Sequence, residues 1–448
     1  MKKLTLLSFI LSLLLFIKPE EYMAAEHGSL QATIDSMKEG AVLKLENKTY
    51  EGNIVITKPL TIIGSEQTVI QGDGTGNVIS VKAAKVHLKN LTVTGSSMDR
   101  NSAEEYAAIK IYTNHNIIEH VTIRNSFHGI YLSQAHHNTI EYADIKGMGK
   151  GEIAAQGNGL HVYYANDNLL AHNKIEGTRD GMFFDYANNN KSYDNTISNT
   201  RYGLHYMYSD ENIFKRNTFT MNQGGAAIMN SNGLTLEDNQ FIVNYGNQSF
   251  GLLLLQANDN SIQGNLFYMN QRGLYIDQAT RNTIRNNRII QNQIGIELWA
   301  SSNDQIFTLN RISENTIPAV TIGGKGEGNA WSHHGKGNDW GSAFPLTDLN
   351  QDSIGDFPIT YHSSLHQLLE DQELTNLFLK SPAVGIYEKI NATLNDDEVM
   401  FKDPHPLVSK GGSHSSLLFA ALGVIAVLIL IKGRETLCII FGRNGKKI

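Results

Sequence analysis

Eight copies of one short motif, a glycine followed by alternating apolar residues, organise the middle of this chain. Five of the seven intervals between successive glycines are 22 residues, and the two longer intervals contain insertions. A fixed period of this length predicts a solenoid, in which each repeat packs on its neighbours. The motif glycines are Gly129, Gly159, Gly181, Gly203, Gly225, Gly251, Gly273 and Gly295.

The pattern inside each repeat indicates strands. The residues one and three positions after the glycine are apolar in nearly every copy, as in Leu204 and Tyr206. Alternation with period two is typical of strands, whereas helical repeats show a period of 3.6. No proline occurs between Pro59 and Pro318, as expected for a continuous parallel ladder. We therefore predict an all-β fold, a parallel β-helix that is right-handed by the general preference of crossovers.

Asparagine recurs at two corners of the repeat. Asparagine tolerates left-handed turns, and stacked amides can hydrogen-bond from coil to coil. We predict that these columns are scaffold and not catalytic. They contain Asn138, Asn168, Asn190, Asn212, Asn260 and Asn282 in one column, and Asn173, Asn195, Asn217, Asn239, Asn265 and Asn287 in the other.

The flanking regions complete the predicted domain organisation. A short amphipathic helix from Ser29 to Lys38 would cap the first coil, and helices between Ser363 and Asn391 would cap the last. The predicted boundaries are 1–25 for a signal peptide, 26–128 for the N-terminal cap and first coils, 129–322 for the regular repeats, 323–412 for a C-terminal helical cap, 413–432 for a transmembrane helix and 433–448 for a cytoplasmic tail.

The two ends of the chain predict export and membrane attachment. Lys2 and Lys3 precede an apolar run, which is the layout of a signal peptide, cleaved or retained as an anchor. The apolar run from Ser415 to Ile431 is followed by basic residues, so the solenoid lies outside the cytoplasm. The run is shorter than the roughly 20 residues of a standard span, which fits either packing against a partner's helices or a plain tail anchor.

Composition excludes several functions. The single cysteine, Cys438, lies beyond the predicted anchor, so the exported part has no disulfide and no thiolate metal site. A net charge of −7 without a basic stripe argues against nucleic-acid binding. Three insertions, at Gly95–Tyr106, Lys146–Asn158 and Asn244–Ser249, interrupt the period, and in repeat proteins such loops tend to cluster on one face.

Carbohydrate chemistry is one candidate function for a long parallel β-helix. The outward carboxylates Asp185 and Asp277 are four coils apart, or about 19 Å at the usual strand spacing. Paired glycosidase carboxylates lie about 5 to 9.5 Å apart, so these two cannot cooperate. Asp180, Asp185 and Asp194 are a possible local cluster, although aspartates at solenoid turns are usually structural.

A soft-metal site is the second candidate. His161 and His205 share one outward column, while Met207 and Met229 occupy adjacent coils of the next outward column. Imidazole and thioether together suit Cu(I). We predict a copper site from these four residues, with incidental exposure of the same side chains as the alternative.

Two further patterns involve aromatic and acidic residues. Tyr164, Tyr186 and Tyr208 occupy one position in three consecutive coils, which predicts a stabilising aromatic ladder more than a sugar platform. A second segment has oxygen ligands at the spacing of a calcium loop but lacks the bidentate glutamate at the twelfth position, so a calcium-stabilised cap and a bare Asx-rich turn both remain open. Its candidate ligands are Asp348, Asn350, Asp352 and Asp356.

Ordered motifs along the exported chain resemble those of the nitrous oxide reductase maturation proteins called NosD. The repeats alone are shared with many carbohydrate-binding and sugar-hydrolase solenoids, and the C-terminal motifs are more specific. The matching segments are Gly52 to Gly64, the repeats, Gly337-Asn-Asp-Trp340, Asp348 to Pro358, Ser381-Pro-Ala383 and Asp403-Pro-His-Pro-Leu407.

The resemblance implies an exported, non-enzymatic accessory protein. It would work with an ABC-type ATPase and its membrane permease, and would dock on nitrous oxide reductase and deliver copper, or sulfur, to its apo-form in denitrification. The ligand set proposed above is not implied by the resemblance. The alternatives are a polysaccharide-binding or polysaccharide-modifying solenoid and a structural surface adhesin.

Overall fold

The solenoid predicted from the repeats is present in the structure. The computed structural model describes residues 21–23, 29–148, 151–246, 248–344, 346–362, 381–384, 386 and 399–408. Strands of each coil pair in parallel with the equivalent strands of the next coil, so the predicted parallel β-helix is confirmed.

The predictions for the two ends of the chain fall almost entirely outside the described residues. One short strand, Glu21–Met23, lies within the segment assigned to the signal peptide and pairs with Val42–Lys44. The predicted transmembrane helix at 413–432 is outside the described part. Among the described residues, no helix is long and apolar enough to cross a membrane.

One face of the solenoid is a twelve-stranded parallel sheet, called the site sheet from here. Its strands are Ile54–Ile56, Ile79–Val81, Ala107–Ile111, His128–Ser133, Leu160–Tyr163, Asp180–Asp185, Tyr202–Met207, Gly224–Met229, Phe250–Leu255, Arg272–Asp277, Ile294–Trp299 and Ile317–Ile322.

The other faces form a second sheet, which consists of two ladders joined by two long strands, His87–Thr94 and Ile117–Arg124. Its other strands are Glu21–Met23, Val42–Lys44, Thr49–Glu51, Thr61–Ile63, Val69–Gln71, Thr139–Glu141, Asp144–Lys146, Leu169–Ala171, Lys174–Glu176, Lys191–Tyr193, Thr196–Ser198, Ile213–Lys215, Thr218–Thr220, Thr235–Glu237, Gln240–Ile242, Ser261–Gln263, Leu266–Tyr268, Thr283–Arg285, Arg288–Ile290, Ile306–Thr308 and Arg311–Ser313. The remaining elements are an α-helix at Leu30–Ser36, a 3-10 helix at Ile153–Ala155 and an antiparallel pair, Ile359–His362 with Val399–Asp403.

The interior is filled by columns of identical or similar side chains. Phe219, Phe241 and Phe267 are fully buried and stack with ring centroids 5.1 and 4.9 Å apart. The motif glycine is required where successive coils meet, because a Cβ at Gly203 would lie 2.7 Å from the carbonyl oxygen of Gly225. The repeated glycine therefore reflects close backbone stacking.

The predicted asparagine ladders are confirmed, and a third was missed. Asn217 Oδ1 accepts hydrogen bonds from the backbone N–H and the side-chain amide of Asn195, at 3.0 and 2.9 Å. Asn217 Nδ2 donates in turn to Ser192 O and Asn239 Oδ1. Each buried amide thus satisfies backbone groups that the turn leaves unpaired. The third ladder contains Asn222, Asn244, Asn270, Asn292 and Asn315.

The ladder asparagines are not the left-handed residues of the corners, contrary to the prediction. The residue before each one has that conformation, as in Asp194 (φ 55°) and Arg216 (φ 56°). The left-handed residue turns the chain outward, and the asparagine that follows is directed inward to its neighbours. The asparagines are therefore selected for the buried amide and not for the turn.

The predicted N-terminal helix closes the first coil. Ser29 caps the helix by accepting from Ala32 N–H at 3.1 Å, and Leu30, Ile34 and Met37 are buried as predicted. The Gln31 amide pairs with both backbone groups of Val55, at 2.7 and 3.1 Å. One side chain thereby satisfies part of the open edge of the site sheet.

The described part of the C-terminal cap consists of strands and aromatic side chains, in place of the predicted helices. Trp331 and Trp340 are buried against Phe401 of the antiparallel pair, with ring centroids 4.5 and 4.6 Å away. The helices predicted between Ser363 and Asn391 lie mostly outside the described residues. Aromatic packing therefore covers the open end of the core.

Two C-terminal motifs form one structural unit. The fully buried Asp403 carboxylate accepts from Asn338 N–H at 2.8 Å and from Trp340 Nε1–H at 2.9 Å. Burial raises the pKa of Asp403, against the opposing effect of these hydrogen bonds. A Cβ at Gly337 would overlap this carboxylate. Asp403 thus ends the asparagine ladder with a pure acceptor when ionised, after Asn310 and Asn338.

Replacing one ladder residue tests this account. We expect Asn217→Ala to lower the free energy of unfolding by about 2–4 kcal/mol, because each buried donor left unsatisfied costs about 1–3 kcal/mol. Denaturant titration followed by circular dichroism measures the change. The control is Asn101→Ala, at an exposed loop residue; equal losses in the two variants would contradict the role of the ladder.

Candidate functional site

The histidines and methionines predicted to bind copper lie on the outward face of the site sheet. Strand register places His161, Phe183 and His205 in one column on consecutive coils. Met207 and Met229 are paired in the neighbouring column. The predicted columns are therefore correct.

The four predicted ligands do not form one site. The Phe183 ring lies between the two imidazoles, with its centroid 4.9 Å from that of His161 and 4.8 Å from that of His205. A metal–imidazole bond is about 2.0–2.1 Å long, so one ion cannot reach both rings around the phenyl group. His161 and His205 belong to two separate clusters.

His205 is held by a buried ion pair. Its Nδ1 lies 2.9 Å from Asp180 Oδ2, and Arg201 donates to both oxygens of the same carboxylate, at 2.9 and 2.6 Å. Burial alone would raise the pKa of Asp180, but the hydrogen bonds from His205 and Arg201 outweigh it, so that pKa is lowered. The ionised carboxylate fixes the proton of neutral His205 on Nδ1 and leaves the lone pair on Nε2.

This arrangement prepares His205 Nε2 for a metal. A carboxylate that holds the second ring nitrogen is the usual partner of a metal-binding histidine. Met207 lies two residues further on the same strand and face, with Asp185 and Met229 beside it on the adjacent strands. Imidazole, two thioethers and a carboxylate therefore meet within one strand spacing, a mainly soft set that suits Cu(I).

The proposed aspartate cluster is not formed. Asp180 is committed to His205 and Arg201, whereas Asp194 pairs with Arg216 on the other sheet at 2.7 Å. Asp185 remains on the site sheet, where burial raises its pKa and nearby Glu105 adds to the effect.

A second cluster contains two residues that the sequence analysis missed. Ligand atoms of Glu105, His128 and His161 all lie within 4.8 Å of one another. The first insertion loop carries Glu105, and Tyr131 O–H donates to its carboxylate at 3.0 Å. The loop was recognised as an insertion, but only the fold shows that it brings Glu105 against the site sheet.

Tautomer chemistry argues against a three-ligand metal site in this cluster. His128 Nδ1 accepts the backbone N–H of Asn158 at 2.9 Å, so the proton of the neutral ring is on Nε2. An Nε2–H donor cannot coordinate a metal unless the contact with Asn158 is released. His128 Nε2 and His161 Nδ1 are buried without a protein partner, an arrangement that suits a bridging water.

Both imidazoles of this second cluster are neutral at physiological pH. Burial, with smaller contributions from Lys110 and Arg179, lowers the pKa of His128 to about 3. Burial likewise lowers the pKa of His161 well below its usual value. The stack of His161 on Tyr131, with centroids 4.3 Å apart, keeps the ring enclosed.

The three insertion loops border one face, as predicted. Each loop leads directly into a strand of the site sheet, namely Ala107–Ile111, Leu160–Tyr163 or Phe250–Leu255. The loops therefore lie along the same edge of the sheet and flank the two clusters.

The predicted tyrosine stack is present. Tyr164, Tyr186 and Tyr208 stack with centroids 4.8 and 5.0 Å apart. Because the rings cover one another's faces, the stack exposes mainly ring edges, which favours a stabilising ladder over a sugar platform.

The segment predicted as a calcium loop folds as an Asx-rich turn. Asp348 accepts from the backbone of Asp352 and Ser353 at 3.1 and 3.0 Å, and Asp356 accepts from Leu349 N–H at 2.9 Å. The carboxylates serve the turn's own amides, and calcium is not supported. The alternative of a bare turn describes this segment.

The buried histidines predict how stability depends on pH. Between about pH 6.5, the usual histidine pKa, and the lower folded pKa values, the unfolded chain binds protons that the folded chain does not. Stability therefore falls as pH drops through this range. We expect His161→Phe, which preserves the ring stack, to reduce the decline in melting temperature between pH 7 and pH 4.

The control for this measurement is His172→Phe, at an exposed histidine that stacks on Tyr142. It should leave the pH dependence of the melting temperature as in the unmodified protein. An unchanged slope in the His161→Phe protein would contradict a neutral, buried imidazole at this position.

Comparison with known proteins confirms the resemblance stated from the motifs. A family model described as periplasmic copper-binding protein (NosD) matches residues 148–343. This match supports an extracytoplasmic, copper-binding accessory role. The search of curated proteins gives no match.

Solved structures show the fold alone. The catalytic domain of a GH87 alpha-1,3-glucanase in complex with nigerose is 12% identical, with a TM-score of 0.50, and the match covers 72% of this chain and 69% of that one. A mutant of the periplasmic alginate epimerase AlgG is 13% identical, with a TM-score of 0.49, covering 72% of this chain and 85% of that one.

Proposed function

We propose that this protein is an extracytoplasmic accessory factor that binds Cu(I) at His205, Met207 and Met229 and delivers it to nitrous oxide reductase. The observation that carries the proposal is the His205 imidazole, oriented by Asp180 with Nε2 free for a metal, beside paired thioethers. All of these residues fall within the segment that matches the NosD family model.

The donor set favours Cu(I) over harder ions. Thioether sulfur binds soft metals, and the imidazole adds a stronger nitrogen ligand. The only cysteine of the chain is Cys438, beyond the predicted anchor, so no thiolate would compete in the exported part. A site without thiolate releases Cu(I) more readily, as a delivery protein requires.

The position on the sheet suits transfer. The His205 side chain is 11% exposed, whereas its partner Asp180 is 2% exposed. The anchoring carboxylate is thus buried while the ligand edge of the ring reaches the surface. An acceptor protein can approach the metal from outside without disturbing the ion pair that orients the imidazole.

The assembly partners follow from the family resemblance. The chain would work with an ABC-type ATPase and its permease, and the predicted C-terminal helix would keep it at the membrane. The sulfur alternative has no comparable set of side chains here, so copper is the cargo that we propose.

Cu(I) affinity tests the site. We expect the variant His205→Ala/Met207→Leu/Met229→Leu to bind Cu(I) at least about tenfold more weakly, because it loses the nitrogen and both sulfur ligands. Competition with a chromophoric Cu(I) chelator, using the full chain in detergent, measures the change.

The matched control is His172→Ala/Met269→Leu, which removes an exposed histidine and an exposed methionine elsewhere on the solenoid. Equal affinities in the two variants would refute the assignment. A further arm, Glu105→Gln/His128→Gln, should retain Cu(I) binding; a loss there would move the site to the second cluster.

The orienting role of Asp180 gives a separate prediction. We expect Asp180→Asn to weaken Cu(I) binding by about 10–100-fold, as for other residues that orient metal ligands. Because Arg201 then lacks its partner, the melting temperature should also fall. An Arg201→Gln variant that matches the loss of stability but retains Cu(I) affinity would separate the two effects.

A polysaccharide-modifying function is the second candidate. The pairing of His205 with buried Asp180, next to half-buried Asp185, also has the form of a general acid–base site. The two outward carboxylates Asp185 and Asp277 are separated by four strand pairings, so they are not a glycosidase pair. Products formed from alpha-1,3-glucan or alginate oligosaccharides, and abolished by His205→Ala, would favour this function.

A further inference from the structure

One loop of the C-terminal cap has two large apolar side chains in solvent. Leu349 is 83% exposed and Phe357 is 69% exposed. Backbone contacts bring their chain segments together, because Asp356 N–H donates to Thr347 O at 2.9 Å and Leu349 N–H donates to the Asp356 carboxylate. The exposed pair is therefore presented by a structured turn.

A cleft accompanies the pair. Phe344, Leu346, Phe357 and Pro358 line a cavity of about 210 Å³ that opens at the surface. A mainly apolar cleft beside two protruding apolar side chains is the anatomy of an interface core. The three aspartates of the same loop, Asp348, Asp352 and Asp356, would form an acidic rim.

The path of the chain determines where this loop is. Val408, the last described residue, donates its N–H to Ser353 O at 3.0 Å, and Gly355 N–H donates to Pro406 O at 2.7 Å. The chain thus leaves the cap against the loop itself. The predicted transmembrane helix begins at residue 413, five residues later, a reach of at most about 18 Å.

We propose that this loop, 346–358, docks on the extracytoplasmic surface of an integral membrane protein that presents basic side chains around an apolar projection. The proposal rests on the predicted anchor, and it is independent of copper binding. The C-terminal end of the solenoid then faces the membrane, and the site sheet stands away from it for contact with an acceptor.

The acidic rim selects between two occupants. An anionic lipid surface would repel three carboxylates, whereas a basic protein surface attracts them and accommodates Leu349 and Phe357 in its apolar part. The permease implied by the family resemblance is a partner of this class. The lipid bilayer itself is the alternative that the experiment must separate.

Site-specific photo-crosslinking tests the proposal in membranes of cells that produce the full chain. A benzophenone amino acid at position 349 or 357 should form an adduct with an integral membrane protein that resists carbonate extraction. The same probe at position 269, where the native methionine is 49% exposed, serves as the control. Equal adducts at all three positions, or phospholipid adducts alone, would overturn the proposal.

A second measurement uses variants that change the surface and not the fold. Leu349→Asp/Phe357→Asp should reduce co-purification of the crosslinked protein at least about tenfold, as expected for central interface residues, while Met269→Asp should leave it unchanged. Co-purification should also fall with rising salt concentration. Cu(I) affinity should be unaffected in both variants, so a failure here is distinct from a failure of the copper site.

Discussion

Hydrogen bonding from each coil to the next is the constraint on which the rest of this structure depends. The backbone ladders supply most of these bonds, and buried asparagines supply them at the corners where the backbone turns away. Such a ladder has a direction, so each end needs a different solution. Gln31 serves the first open strand with its amide, whereas Asp403 accepts the last amide donors at the other end.

The ladder also fixes the spacing of the outward side chains. Neighbouring residues in a column are one strand apart, about 4.8 Å, and residues two coils apart are about twice as far. A small ion can therefore use only adjacent positions. This is why Phe183 separates His161 from His205, while Met207 and Met229 can act together.

The two imidazole clusters differ through the hydrogen bond made by the inner nitrogen. Asp180 accepts from His205 Nδ1 and leaves a lone pair at Nε2, while Asn158 donates to His128 Nδ1 and leaves a proton there. Similar residues at similar depth thus favour different ligands. Distances alone would select the second cluster, and the donor and acceptor roles select the first.

The sequence by itself determined the parallel β-helix, two of the asparagine ladders, the capping helix and the outward columns of histidine and methionine, because a short repeat imposes its period on every coil. Only the tertiary structure decided which outward residues meet. Glu105 and Asp180 reach the histidines through a loop and a neighbouring strand, contacts with no repeated spacing. The C-terminal cap likewise depends on Asp403 and Trp340, which are distant in sequence and are joined by burial of one carboxylate.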